Sequence, residues 1–160
     1  MKKKGLIYLL FSLLISACSS VKKTVKKPNK IPSSISSKII KEAKSYEGVR
    51  YKYGGTTRKG MDCSGLIYMA FLENKIKLPR VSRFMAKEGK QISVSKIAKG
   101  DLLFFKTSKS KNQINHVGLV TSVLKGQIEF IHSTTSKGVI ISSLSERYWK
   151  NAFVKAKRVL

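Results

Sequence analysis

The hydrophobic pattern of this chain changes period part-way along, and that change restricts the fold more than any single motif. A helix is predicted from Ser36, because Ile35, Ile39, Ala43 and Tyr46 recur at helical spacing and Gly48 follows as a stop. The stretch Gly54-Gly55-Thr56-Thr57-Arg58-Lys59-Gly60 reads as a loop. Ser64 to Asn74 is then largely apolar, the pattern of a buried helix, with Asp62 in position to cap it and Cys63 at its beginning. After Pro79 a short helix is predicted at Ser82 to Lys87. Beyond it the apolar runs shorten to strand length: Leu102 to Lys106, Val117 to Val123, Gln127 to His132 and Val139 to Ser142. A short helix at Ser145 to Lys150 precedes a last strand, Phe153 to Val159. Helices first and an antiparallel meander second predict an α+β domain.

The N-terminus has a different character. Lys2, Lys3 and Lys4 precede an apolar run, Leu6 to Ile15, of about ten residues. A bilayer span needs roughly 20 residues, so the run suits the h-region of a signal peptide. It ends in Leu14-Ile15-Ser16-Ala17-Cys18, which resembles the lipobox of bacterial lipoproteins. That resemblance implies removal of residues 1–17 and a lipid on the sulfur of Cys18, which would anchor the chain to membrane. The alternative is an ordinary signal peptide with an incidental cysteine. Residues 18–35, polar and carrying Pro28 and Pro32, read as a flexible tether, leaving 36–160 as the folded domain.

Charge adds a constraint on partners. The chain has 33 Lys plus Arg against 8 Asp plus Glu, a formal +25. A chain exported before folding does not normally meet nucleic acid, so none is expected as a partner. The excess suits anionic lipid or envelope polymer, or else is simply a lysine-rich solvated surface.

With Cys18 acylated, Cys63 has no partner in its own chain, and a lone thiol outside the cytoplasm calls for a reason. A helix N-terminus and a neighbouring imidazole are two features that lower a thiol pKa and make a nucleophile. Only two histidines exist, His116 and His132, and they flank a candidate hairpin. A three-residue loop Leu124-Lys125-Gly126 would pair Val123 with Gln127 and set both imidazoles on one face, two residues apart. A two-residue loop would shift the register and set them on opposite faces. The catalytic reading therefore requires the odd-length turn, with His116 as base toward Cys63 and His132 as its orienting partner. Backbone N–H groups at the start of the Cys63 helix, and a nearby tyrosine hydroxyl, are natural oxyanion donors. The competing readings are a buried structural cysteine and structural histidines. One Cys and two His without a tight-spaced pair make a poor zinc site, so no metal or cofactor is expected.

Several ordered motifs then carry a resemblance. Tyr51-Lys52-Tyr53-Gly54-Gly55, Met61-Asp62-Cys63-Ser64-Gly65-Leu66, Gly100-Asp101-Leu102, Asn115-His116-Val117-Gly118-Leu119 and Phe130-Ile131-His132-Ser133 are similar to those of the NlpC family of papain-like cell-wall peptidases. Leu78-Pro79-Arg80 and Gly138-Val139-Ile140-Ile141-Ser142-Ser143 resemble the lipoprotein murein endopeptidases within it. The resemblance covers roughly residues 36–160. It implies a papain-like domain with the nucleophile helix packed on a small antiparallel sheet. It implies Cys63, His116, His132 and Tyr51 as the catalytic set, Tyr51 assisting the oxyanion, and Asp62, Ser64 and Arg80 in contact with substrate. The implied reaction is hydrolysis of peptidoglycan stem peptides at the D-alanyl–meso-diaminopimelate cross-link, with the D-glutamyl–diaminopimelate bond as alternative. A cell-envelope monomer is expected, lipid-anchored in the outer membrane and facing the periplasm. Tyr53 departs from the pattern, since those lipoproteins carry an aliphatic residue there. A non-catalytic wall-binding lipoprotein and a thiol acyltransferase remain as other classes.

Overall fold

The computed structural model describes residues 33–108 and 113–160. The signal peptide, Cys18 and nearly all of the tether lie outside the described residues. Helix α1 spans Ser33–Lys44, beginning before the predicted Ser36. A small hairpin, β1 (Thr56–Thr57) with β2 (Gly60–Met61), occupies the segment read as loop. Helix α2 (Cys63–Leu72) and the single turn α3 (Ser82–Met85) follow. The remaining strands are β3 (Lys90–Ile92), β4 (Leu102–Phe105), β5 (His116–Leu124), β6 (Gln127–Thr134), β7 (Gly138–Ser143) and β8 (Phe153–Arg158), with α4 (Arg147–Ala152) before β8.

The large sheet runs β3-β8-β4-β5-β6-β7, antiparallel throughout. Strands β4 to β7 form the expected meander, but β8 returns across it to pair with β4. Strand β3 lies outside β8; its sequence, Lys90-Gln91-Ile92, is polar and exposed and gives no apolar alternation to read. The architecture is α+β.

Alternation along the strands builds two cores. Leu102 and Phe104 of β4 face one side, where α1 and α2 pack with Ile39, Ala43, Leu66, Ile67, Ala70 and Phe71. Leu103 and Phe105 face the other, closed by Phe130, Ala156 and Trp149 of α4. Six residues of α2 are buried, so it can sit only between a helix and the sheet.

The β5–β6 turn differs from expectation in a way that bears on function. Leu124 pairs directly with Gln127, leaving a two-residue loop. Its residues, Lys125 and Gly126, have φ +48° and +81°, the pair of positive values a type I′ turn needs. By itself this loop would put the histidines on opposite faces. The register then shifts between Val120 and Ser122: Ser122 pairs with Glu129, whereas Val120 pairs with Phe130 and Leu119 with Ile131. Thr121 is the extra residue of a β-bulge. One bulge cancels one residue of turn, so the strands beyond it run in the register that a three-residue loop would have produced.

Candidate active site

The site is assembled where α2 begins, against the ends of β5, β6 and β7. Asp62 adopts an extended conformation (φ −89°, ψ 174°) and its Oδ1 accepts from the Gly65 amide at 2.6 Å, an N-cap that starts α2 at Cys63. Gly65 is required here, because a Cβ would lie 2.1 Å from the Gly55 carbonyl oxygen. The same carboxylate accepts the Gly54 amide at 2.8 Å and both terminal nitrogens of Arg80 at 2.9 Å. Arg80 also donates to Ser64 Oγ at 2.8 Å and to the Gly55 carbonyl at 3.2 Å. Burial alone would raise the Asp62 pKa, but the Arg80 hydrogen bonds, the Gly65 amide and the Arg80 charge outweigh it and hold the carboxyl below its ordinary value.

Cys63 Sγ is half-buried, 4.0 Å from the Asn115 carbonyl oxygen. Burial pushes its thiol up to about 11, against smaller lowering contributions from the amides of Val117, Ser64 and Cys63 itself. From sequence alone the helix N-terminus is expected to lower this pKa. Desolvation of the anion is the larger effect in this site, and the resting sulfur is a protonated thiol.

His116 Nε2 lies 3.0 Å from His132 Nδ1, and His132 Nε2 lies 3.0 Å from Ser142 Oγ. Both rings are buried, His132 completely. Burial lowers the His116 pKa to about 4, and burial together with the neighbouring His116 lowers that of His132 to about 3. Both rings are therefore neutral at physiological pH, and each carries a single N–H. With His116 Nε2 engaged, Nδ1 is the nitrogen that can take a proton from the groove. For it to do so, His116 Nε2–H must donate to His132 Nδ1, and His132 Nε2–H to Ser142 Oγ. The chain of three side chains fixes both tautomers. Trp149 stacks on His116 at 5.2 Å and 21°, and meets His132 edge-on at 4.5 Å and 79°.

Two cavities open on either side of Cys63. One, about 520 Å³, is lined by Cys63, His116, Ser142, Lys137, Glu146 and Trp149 among others. The second, about 390 Å³, is lined by Cys63, Asp62, Ser64, Arg80, Val81 and Arg83 among others. Both share Tyr51, Cys63 and Asn115, so they form one groove with the sulfur at its middle. Tyr51 is held there by a bridge to Met61. Its hydroxyl pKa is raised, by burial first and then by Cys63 and Asp62, so it remains a hydrogen-bond donor.

The sequence profile of the NlpC/P60 family matches residues 48–158, a span containing every side chain of this groove. The chain belongs to the NlpC/P60 family. It is 40% identical over 124 residues to the murein DD-endopeptidase MepS/murein LD-carboxypeptidase of Escherichia coli K12, a match covering 77% of this chain and 62% of that protein. It is 40% identical over 119 residues to the probable endopeptidase NlpC of the same strain, covering 74% of each. Among solved structures, the lipoprotein-like NLP/P60 protein of Staphylococcus aureus superposes with TM-score 0.72 at 31% identity, over 86% of this chain and 45% of that one.

Of the four catalytic candidates of this NlpC/P60 domain, Tyr51, Cys63 and His116 line the groove, and His132 lies buried behind His116 at 3.0 Å. Asp62, Ser64 and Arg80 line its second cavity but spend their polar atoms on one another. Three residues of the site had no assigned part in the sequence reading. Ser142 sits beside His132 only because β7 pairs with β6 in the register His132–Ile140 and Phe130–Ser142. Trp149 arrives from α4. Asn115 accepts from the Thr107 amide at 2.8 Å and donates to Thr107 Oγ1 at 3.0 Å, pinning the residue before His116 to the end of β4. An invariable polar pair at fixed sequence spacing would have signalled none of these, because each depends on strand pairing.

Proposed function

We propose that this chain is a cysteine peptidase of the bacterial cell wall, cutting an amide bond in peptidoglycan stem peptides, with the D-alanyl–meso-diaminopimelate cross-link as its target. The observation that carries the reading is the neutral His116–His132–Ser142 chain ending in the groove that holds Cys63. The likeness to the murein DD-endopeptidase MepS supports the substrate class and a DD bond, and the likeness to the probable endopeptidase NlpC supports an endopeptidase.

In this reading the Cys63 thiol proton passes to His116 Nδ1 as the sulfur attacks the scissile carbonyl carbon. The resting pair is neutral, so proton transfer accompanies attack and does not precede it. His132 stabilises the resulting imidazolium by accepting from its Nε2–H. The new oxyanion is met by the Tyr51 hydroxyl and by N–H groups of the first turn of α2. When the tetrahedral intermediate collapses, the C–N bond breaks and His116 returns its proton to the leaving amine. Water, deprotonated by His116, then hydrolyses the thioester and restores the thiol. Because His116 must reach the leaving nitrogen and lines only the larger cavity, the amine half of the substrate lies there and the acyl half lies in the smaller one. Asp62, Arg80 and Ser64 shape the floor beneath that acyl half.

The N-terminal sequence supports a cell-envelope lipoprotein anchored through Cys18, and Ser19 is compatible with placement in an outer membrane facing the periplasm. The test of the central claim is digestion of purified cell wall followed by mass analysis of the released muropeptides. Wild-type chain should release fragments whose new ends mark the D-alanyl–diaminopimelate bond, and Cys63→Ala should release none. Fragments ending at D-glutamate would move the cleavage to the D-glutamyl–diaminopimelate bond. Undiminished cleavage by Cys63→Ala would end the cysteine-peptidase reading.

A further inference from the structure

The end of the sheet opposite the groove carries features that the chemistry above leaves unused. Strand β5 begins at His116 and ends at Leu124, so its hairpin tip stands about 26 Å from the site. Leu124 is 68% exposed there, beside the exposed Lys125. Toward the same end lies an apolar cavity of about 350 Å³, walled by Val94, Ile128, Leu144 and Phe153 and reached by Gly126 and Lys150. Val94 itself is 54% exposed. Large apolar side chains left uncovered around a cavity mark a contact surface.

Lysine dominates the charge around it. Lys96, Lys99, Lys125 and Lys150 are all exposed, and among the described residues none of the four forms an ion pair. The acids of the neighbouring strands are turned elsewhere. Asp101 is fully buried and holds Arg158 at 2.7 and 2.8 Å. Glu129 follows Ile128 along β6 and so points to the other face of the sheet. Glu146 lines the larger cavity of the active site and accepts the Ser143 amide at 2.7 Å. Glu88 lies between Lys87 and Lys90 in sequence, which leaves the balance positive. Apolar side chains set among unpaired lysines suit an interface with anionic lipid head groups.

The chain also enters at this end. Gly100 donates its amide to the Val120 carbonyl at 3.0 Å, and a Cβ on Gly100 would lie 3.0 Å from Ser36. The beginning of α1 therefore stands beside the half of β5 that leads to the tip. Residues 18–32 run from Cys18 to α1 and span at most about 50 Å fully extended. A lipid on Cys18 would hold the domain within that reach of a bilayer, where weak contacts act at high effective concentration.

We propose that this end of the domain, with Val94, Leu124, Lys96, Lys99, Lys125 and Lys150, docks on a bilayer leaflet that carries anionic head groups. Docking there aims the groove away from the membrane. The proposal rests on the lipoprotein reading, which supplies the anchor. Leu124 and Val94 enter the head-group layer and the lysines meet its phosphates. Each lysine brought against such a surface multiplies partitioning by about five-fold, an effect that salt screens.

The test is amide hydrogen exchange of the full lipidated chain in vesicles of phosphatidylethanolamine with phosphatidylglycerol, against vesicles of phosphatidylcholine alone. The anionic vesicles should slow exchange at 94–96 and 124–126 by about five-fold or more, and high salt should remove the slowing. Lys96→Glu combined with Lys125→Glu should abolish it, and Leu124→Ser should reduce it, with cleavage of soluble muropeptides unchanged. Slowing that is equal in both kinds of vesicle, or undiminished in the double variant, overturns the proposal. Slowing brought instead by isolated cell wall, or by raising protein concentration in detergent, also overturns it and gives the surface to wall polymer or to a second copy. The anchor is read separately, from the mass of the N-terminal fragment. An acylated chain without slowing sinks the docking surface alone. A chain without acyl groups on Cys18 sinks the lipoprotein reading, and salt-sensitive slowing on the anionic vesicles would still keep the surface.

Discussion

Two buried polar networks flank Cys63, and they solve the cost of burial in opposite ways. On the helix side, Asp62 and Arg80 are both charged and saturated by each other, by Ser64 and by backbone. On the strand side, His116, His132 and Ser142 are linked just as closely but carry no charge at rest. A paired charge is static, because moving either partner leaves the other desolvated and alone. A neutral chain with one open nitrogen can take up a proton and pass it on. In the proposed mechanism the helix side therefore holds the nucleophile in place, and the strand side does the proton work.

The largest expected effect tests that division on the strand side. His116→Ala should lower kcat/KM on muropeptides by about 10³-fold or more, with the variant still folded, because removing the base leaves the buried thiol without an acceptor. A variant retaining a tenth of wild-type activity would mean that some other group takes the proton. On the helix side the loss should appear in stability. Arg80→Leu strands a buried carboxylate, and allowing for the partial exposure of Arg80 (31%) the cost is about 2 kcal/mol in denaturant unfolding. An unchanged midpoint would show that the ion pair contributes nothing net, and the contrast between the walls would fail.

The division was partly legible in the sequence. Helical spacing around Ile39 and Ala43, the apolar run of α2 and its Asp62 cap were enough to place Cys63 at a helix start. The two histidines could be put on one face only by assuming a turn length, and the assumed turn was wrong. The correct face resulted from Thr121, whose bulge no local pattern announces; Thr is an ordinary strand residue, and a bulge is decided by how the pairing closes at both ends. The thiol pKa was misjudged for a similar reason. Cap and helix start are local and visible in sequence, whereas the desolvation that overrides them comes from burial of the sulfur in the folded chain. Strand β3, polar and exposed, was not predicted, and the return of β8 to pair with β4 was not legible because crossing back over a meander is a property of the whole sheet.

A smaller effect separates the two imidazoles. His132→Ala should reduce kcat/KM by roughly 10- to 100-fold, less than His116→Ala, since His116 keeps its open nitrogen but loses the partner that fixes its tautomer. Comparable losses would mean shared roles. Acid stability tests the same pair without substrate. Both histidines have folded pKa values near 4 and near 3, below the ordinary value of about 6.5, so the unfolded chain binds protons that the folded chain refuses. Their stabilising contribution is complete above about pH 6.5 and is lost as pH falls through 4 toward 3, with a slope that approaches about 1.4 kcal/mol per pH unit for each ring. In a His132→Gln variant that slope should be shallower. A wild-type midpoint that does not move between pH 6.5 and 4.5 would mean that the rings are already protonated in the fold.

The smallest effect falls on Ser142, at the far end of the neutral chain. Its hydroxyl lies 3.0 Å from His132 Nε2 and, in the tautomers the proposed mechanism requires, accepts the Nε2 proton. Replacing it by Ala removes that partner, and a water entering from the larger cavity, which Ser142 lines, can partly take its place, so a loss of about 3- to 5-fold in kcat is expected, within the worth of one hydrogen bond. Stability alone cannot distinguish a positioning role from simple packing. The pH profile can, because an unanchored His132 ring can flip its tautomer and present N–H to His116, which raises the cost of forming the imidazolium. Ser142→Ala should therefore lower kcat most where proton transfer limits the rate, and Ser142→Thr should restore it. A rate loss equal at every pH and not repaired by Thr would reduce Ser142 to a spacer between β7 and the ring.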